Sequence, residues 1–375
     1  MEFKIPVGEL QTIISKLSNV VKMGAEDVTS MIYIKASNEE LTFKATSGLV
    51  HVIISANNFE VIEEGKVLCK LRNIKGYLLK FSPFAENSGT EDFHFIVKND
   101  EGLIKAKTLF PDSKPSYRRL KFEIFNIAEH QPIKPFGEAQ MIVNSNILKQ
   151  GIEKVLHCID PKDVRDALKG LKVVVDNNSI VFVGTNGIKL AEDVVDINVD
   201  IKNLSKIFRH DLCTVLHIIL EDDSQVFINF EGRQVYLKSD NMYIVGHLVI
   251  GEDYPDYKTL FKCEEFVTFP RRDFTDSVIT VMDVLDPEDN HRLTINFSGN
   301  ELILKNDVVE ALHKFDDAFG TELDIDVNGI ALASILRDFT GEYLEAHFTK
   351  NNNYIIFKSK DDDKHTALLT IVRRR

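Results

Sequence analysis

Cysteine is scarce in this chain of 375 residues: Cys69, Cys158, Cys213 and Cys263 lie far apart and form no Cys-x-x-Cys pair. That spacing disfavours metal knuckles and dithiol redox motifs and makes reduced cytosolic thiols the default. Long apolar runs are also missing, and none approaches the roughly 20 residues a helix needs to cross a bilayer. The start, Met-Glu-Phe-Lys-Ile-Pro, has no basic stretch followed by an apolar one, so no secretory signal is expected. These absences predict a cytoplasmic protein with no membrane partner.

Signatures of catalysis are absent as well. No Gly-x-x-x-x-Gly-Lys, His-Glu-x-x-His or Gly-x-Ser-x-Gly occurs, and the eleven histidines are scattered. Asp324-Ile-Asp326-Val-Asn328-Gly329 opens like a calcium loop, but its twelfth position, which must be a bidentate Glu, is Ile335. The alternation of Leu323, Ile325 and Val327 instead predicts a strand running into a helix. His210, beside Arg209, reads as a solvated helix residue rather than a base. No catalytic residue, cofactor or metal is expected.

What is present is an ordinary globular composition, 44% apolar and 27% charged, with a net charge of −13. The length predicts two or three domains, each able to bury a core. One unit recurs three times. MIYIKASNEELTFKATS from Met31, LKVVVDNNSIVFVGTN from Leu171 and RLTINFSGNELILKND from Arg292 each alternate apolar and polar residues, break at an asparagine turn, and alternate again. That is the pattern of a β-hairpin with one buried face.

A stretch of helical spacing precedes each hairpin: Leu10, Ile13, Ile14, Leu17 and Val21, then Ile147, Ile152, Val155 and Leu156, then Phe274, Val278, Val281 and Met282. A second helix and hairpin follow each one. The whole order predicts an α+β fold of three repeated domains, 1–136, 137–262 and 263–375, each made of two half-units, with boundaries at the irregular segments around Pro135 and Lys262. A threefold repeat without a singular polar cluster favours an architectural or binding role.

The acidic total by itself argues against nucleic acid, but binding depends on where charge sits. The three predicted domains carry +1, −5 and −9. Helices predicted over roughly 8–22, 70–80, 146–158, 202–213, 271–284 and 329–339 carry +1, +4, +1, +2, −1 and 0, a total of +7, which leaves −20 elsewhere. Basic helix residues Lys16, Lys22, Lys70, Arg72, Lys75, Lys80, Lys149, Lys202, Lys206 and Arg209 would make a track for phosphates. Lys and Arg also suit any solvated helix face, which explains a single helix about as well.

At this point the residues resemble a known family, the β sliding clamp of bacterial-type replicative DNA polymerases, DNA polymerase III beta subunits. The match runs from Asp163-Val164-Arg165 through Leu168 and Gly170 to Thr185-Asn186-Gly187-Ile188-Lys189-Leu190-Ala191, with Tyr254-Pro255-Asp256-Tyr257 beyond it. The family shows Asp-Val-Arg, Leu-x-Gly, Thr-Asp-Gly-His-Arg-Leu-Ala and Phe-Pro-Asp-Tyr there. Ile188 and Lys189 replace the His-Arg, and Thr370-Ile371-Val372-Arg373 replaces a Met-Pro-Met-Arg-like ending. Such drift suggests a divergent clamp of viral or mobile-element origin with a retuned partner pocket.

The resemblance implies a non-enzymatic processivity factor. Two chains would close head to tail into a homodimeric ring of six domains around duplex DNA, helices inside and sheets outside. A DNA polymerase and a clamp loader would bind through short peptides in an apolar pocket, whose matching positions are Leu168, Thr185, Gly187, Leu190, Pro255, Leu260, Leu368, Leu369, Ile371 and Val372. These residue types are equally those of a core; Pro255 and the C-terminal strand are the ones expected to be partly exposed. Ile104 and Met282 stand where the family places dimer contacts, and Lys162 is the one attractive DNA-contact position beside the Asp-Val-Arg match. Two alternatives from other classes are a carboxylate or metal enzyme using the acidic third domain, and a repeat scaffold that binds only proteins.

Overall fold

A computed structural model describes residues 1–78, 92–98, 101–108, 116–125, 133–176, 178–199, 201, 203–251, 253–263, 265–284, 291–315, 319, 321–349, 353–362 and 364–373. The described residues form six α-helices: α1 (Val7–Leu17), α2 (Leu71–Leu78), α3 (Ser145–Leu156), α4 (His210–Ile219), α5 (Arg271–Asp283) and α6 (Gly329–Leu336). Antiparallel strands make up most of the remainder. Fold class and repeat pattern are those the sequence predicts.

All three asparagine hairpins form. Ile32 pairs with Ala45 in the first, Val174 with Val181 in the second and Ile295 with Leu304 in the third, every pair buried or half-buried on one sheet. The second hairpins form too, pairing Phe95 with Ile104, Asn229 with Tyr236, and Ile356 with Leu368. The false calcium loop is a strand, Leu323–Asn328, that feeds α6, and the Asn328 side chain caps that helix by accepting the Ala331 N–H at 2.9 Å. Its Asp326 is 1% exposed and accepts bonds from Arg292 and from Thr294 Oγ1.

The first helix stops at Leu17, short of its predicted end, and the fourth differs most from its prediction. Residues 204–209 are a strand, Leu204–Arg209, paired with Gly170–Val175, and α4 begins only at His210. The apolar positions Leu204, Ile207, Phe208 and Leu212 have helical spacing by accident, because a short strand runs into the helix without a breaking residue. Lys206 and Arg209 are therefore strand residues, Lys70 ends the strand Gly65–Lys70 that feeds α2, and Lys22 lies beyond the end of α1, while Lys80 and Lys202 lie outside the described residues. Helix α2 carries +2 and α3 +1, α1 and α6 are neutral, and α4 and α5 carry −1 each, so the helices as formed total +1 rather than +7. The expected separation of sign between helices and the rest is much reduced.

The chain forms two compact units, Met1–Leu148 with Thr214–Leu248, and Lys149–Cys213 with Val249–Arg375. In the first, strand Val50–Ser55 pairs with Met242–Val249, so the sheet of the first repeat continues into half of the second. Its core includes Phe3 stacked on Phe95, ring centroids 4.8 Å apart. In the second unit, strand Lys189–Asp196 pairs with the C-terminal strand His365–Val372, joining the other half of the middle repeat to the third. Here α3 lies tight on its sheet. A Cβ at Gly184 would stand 2.4 Å from the Val155 carbonyl, and one at Gly151 would stand 2.3 Å from the Phe182 ring.

Candidate functional site

Alternation along strands of the second unit assembles a buried apolar cluster. Thr185 lies opposite Leu190, Leu190 opposite Leu368, and Leu368 opposite Ile356, which sets these side chains in one row on one sheet face. Val183, two residues before Thr185, shares that face. Val183, Leu190, Tyr257, Ile356 and Leu368 form a buried cluster, with Tyr254, Leu260, Phe261, Cys263 and Tyr354 packed against it.

The turn entering this row is built from the Thr-Asn-Gly segment. Asn186 Oδ1 accepts the N–H groups of Ile188 and Lys189, each at 3.0 Å, and Thr185 Oγ1 accepts the Gly187 N–H at 3.1 Å. Gly187 has φ +84, a conformation that strains any residue with a Cβ. Arg165 leans on the turn, with Nη2 3.4 Å from the Asn186 carbonyl, and is itself held by Asp163 through Nε at 3.0 Å and Nη2 at 2.8 Å. Those bonds hold the Asp163 carboxyl down at about 2.

The segment carrying Tyr254-Pro255-Asp256-Tyr257 closes one side. The Tyr254 hydroxyl donates to the Val183 carbonyl at 3.2 Å, and that of Tyr257 donates to Glu192 Oε2 at 2.5 Å. Burial pushes both phenols up from their usual range, and at Tyr257 the Glu192 carboxylate adds to the shift. Lys172 Nζ sits over both rings, 5.3 Å and 5.9 Å from their centroids. Beside these rings lies a groove of about 320 Å³ lined by Lys172, Val174, Val181 and residues 254–258.

Of the residues expected at the pocket, Leu190, Leu260 and Leu368 come together, with Thr185 in the same row and Gly187 in its turn. Pro255 is exposed as expected, and Ile371 and Val372 emerge at the end of the C-terminal strand, half-buried and 40% exposed. Leu168 is buried in the short turn of helix Asp166–Lys169 and is not one of the residues that form this cluster. Leu369 is fully buried and points to the opposite face, since neighbours in a strand alternate. Ile104 is fully buried in its own sheet, and Met282 is 8% exposed, its Sδ directly against Gly329. Val183, Ile356, Phe261 and Tyr354 join them without having been expected there; the two-residue period running back from Thr185 finds Val183, and Ile356 is found only by pairing the last hairpin, where it lies opposite Leu368.

The back of the same strand is polar. Lys189 points away from the pocket, placing Nζ 2.7 Å from Ser334 Oγ and 3.2 Å from His157 Nδ1, and His157 Nε2 lies 2.6 Å from Asp338. Burial pushes the Lys189 ammonium down. Four residues on, Asp193 is bound by Lys154 at 2.7 Å.

The basic residues divide into occupied and open. Lys16 pairs with Glu221 at 2.5 Å, Lys70 with Glu26 at 2.7 Å, and Arg209 with Asp211 at 3.5 Å, while Lys75 donates to Ser18 at 3.0 Å. Lys149 and Lys206 are half-buried. Lys22, Arg72 and Lys162 are exposed and have no ion pair among the described residues. No group of three or more His, Cys, Asp or Glu able to hold a metal occurs among the described residues, and no helix there is long and apolar enough to cross a membrane. The carboxylate-enzyme alternative finds no support.

Helix-and-hairpin half-units repeated along the chain, with an apolar cluster where a tyrosine-bearing segment packs on a sheet face, define a DNA-clamp fold. Residues 142–256 match the family model of the DNA polymerase III beta subunit, central domain. The β sliding clamp of Chlamydia muridarum is 23% identical over 365 residues, covering 93% of this chain and 87% of that one. That of Mycoplasma capricolum is 21% identical, covering 97% and 96%. Crystal structures of the DNA polymerase sliding clamp from Bacillus subtilis (TM-score 0.86, 15% identity) and of the DNA polymerase III subunit beta from Pseudomonas aeruginosa (TM-score 0.85, 17% identity) each align over 100% of both chains. Over its whole length the chain is similar, at low identity, to bacterial β sliding clamps.

Proposed function

We propose that the protein is a processivity clamp without catalytic activity, which encircles duplex DNA and tethers a replicative DNA polymerase after a clamp loader has placed it. The observation that carries this reading is the alignment of the entire chain, end to end, with sliding-clamp structures. Three domains, 1–136, 137–262 and 263–375, follow from the repeat of hairpins, and two chains would supply the six domains of a ring. A topological tether needs no base-specific contact, only a mobile and weakly attractive inner surface. Exposed Lys22, Arg72 and Lys162 supply the open charge, and the pocket around Leu190, Leu260 and Leu368 receives the partner peptide. The site of action is the cytoplasm, where bacterial-type replication takes place.

The test is sedimentation followed by retention on DNA. A dimer that stays on closed circles, leaves linear DNA by its ends and lengthens the products of its polymerase supports the proposal. A strictly monomeric protein without effect on product length overturns it, and binding of polymerase without retention on circles favours the protein-only scaffold.

A further inference from the structure

One group bonded to the apolar cluster is one that an apolar receptor has no need of. Glu192 stands in the strand between Leu190 and Val194, on the same face as Leu190 and opposite Val183 on one side and Thr366 on the other. It is 9% exposed. A carboxylate taken this far from water is costly unless each oxygen is bonded. One oxygen, Oε2, receives the Tyr257 hydroxyl at 2.5 Å. The other, Oε1, makes no hydrogen bond among the described residues and is open to solvent rather than sealed in the core. The row holding Glu192 continues to Lys172 on one side and Lys358 on the other, each two strands away, too far for a hydrogen bond at a strand spacing of about 4.8 Å. Lys172 is engaged instead with the faces of the Tyr254 and Tyr257 rings.

Tyr257 fixes the geometry. Its ring belongs to the apolar cluster that contains Leu190 and Leu368, while its hydroxyl orients the carboxylate. With the phenol shifted upward by burial, it stays a donor throughout the neutral range. An acceptor is thus held, oriented and half-satisfied within an otherwise apolar pocket.

We infer that Glu192 is a specificity-determining residue of the pocket, selecting partner peptides that bring a hydrogen-bond donor, an amide or an ammonium group, beside the apolar side chains that fill it. This rests on the reading of the pocket as the partner-peptide site. A donor meeting Oε1 makes a charge-assisted bond, whereas an aliphatic or acidic side chain leaves the carboxylate unpaired or repelled. Discrimination of this kind, in which the wrong ligand strands a buried polar group, exceeds what a change in apolar contact achieves.

The experiment is selection of a randomised dodecapeptide library against the immobilised full chain, its Glu192→Leu and Glu192→Gln variants, and Leu260→Asp as a control for the pocket. The wild type is expected to enrich peptides with Gln, Asn, Lys or Arg at a fixed place beside aliphatic or aromatic residues. Synthetic versions should bind about tenfold tighter than those with Leu at that place, and the ratio should fall below about twofold in Glu192→Leu. Glu192→Gln separates the two donor chemistries: ammonium peptides lose affinity and amide peptides keep more of it. Equal affinity for donor and Leu peptides in the wild type, or a preference unchanged in Glu192→Leu, overturns the inference and leaves the pocket intact. Enrichment of the same pool by wild type and Leu260→Asp overturns the pocket reading itself.

Discussion

Lys154 reaches from α3 to the carboxylate of Asp193, Nζ to Oδ1 2.7 Å, and that carboxylate is 1% exposed. Its other neighbour is His365, 3.3 Å away on the C-terminal strand, so one buried charge touches a helix and two strands. Removing the cation and keeping the anion is the damaging change, because the carboxylate is left in low dielectric without compensation. Lys154→Met is expected to cost about 3 kcal/mol in denaturant unfolding, and adding Asp193→Leu to it should recover most of the loss. Additive losses would show that the pair is not a unit.

Gly184 meets the same helix at its closest point. With a Cβ there 2.4 Å from the Val155 carbonyl, which is backbone and cannot rotate away, α3 must shift off the sheet. Gly184→Ala should cost about 1–3 kcal/mol. Gly232, by contrast, has open space around its Cβ position and pays only for its φ of +57. Melting temperatures of the two alanine variants should therefore fall in that order, with Gly184→Ala the lower.

Much of this architecture can be read from the residues. Alternation around Asn38, Asn178 and Asn300 gives the hairpins, but the register that puts Leu190 opposite Leu368 joins strands far apart in the chain and has no local signal. Period alone cannot separate a strand that flows into a helix from a longer helix, which is why Leu204–Arg209 read as helical. Nor does composition show that Lys16, Lys70 and Arg209 are already engaged by Glu221, Glu26 and Asp211, because those acids arrive from other segments. The Glu192–Tyr257 bond spans 65 residues and leaves no local trace.

Asp163 offers a pH test of the turn beneath the pocket. Three bonds to Arg165, from its backbone N–H and from Nε and Nη2, hold the carboxyl near 2 against an ordinary 3.8. A folded value below the unfolded one means that this contribution is fully present above about pH 4 and is lost as pH falls through 2. Titration of the Asp163 carboxyl carbon by NMR should give a midpoint near 2, moving toward 3.8 in Arg165→Gln. A wild-type midpoint above 3.5 would contradict the arrangement.

Leu260 separates docking from folding. It is half-buried at the edge of the cluster and held by its N–H to the Tyr257 carbonyl at 3.0 Å, so its side chain contributes to the pocket more than to the core. A carboxylate there meets incoming apolar side chains with an unpaired charge. Leu260→Asp should weaken polymerase binding by tenfold or more, with melting shifted by only a few degrees. Equal binding would move the docking surface elsewhere.

The open cations give the sharpest test of the DNA-facing role, since a charge already neutralised by a neighbour releases no counterion. Arg72, on α2, is exposed and outside ion-pair distance of any described acid, whereas Lys70, two residues earlier, is bound to Glu26. Removing one cation from a phosphate should reduce the slope of log affinity against log salt by about 0.9. Arg72→Gln, Lys22→Gln and Lys162→Gln are therefore each expected to lower the slope by close to that amount, measured on duplex of mixed sequence. Lys16→Gln should lower it by less, because the Lys16 ammonium is held by Glu221. If all four variants change the slope equally, the ion pairs open on DNA and occupancy in the free protein does not decide which lysines act. If only Lys16→Gln changes the slope, the exposed set is not the face that meets the phosphates.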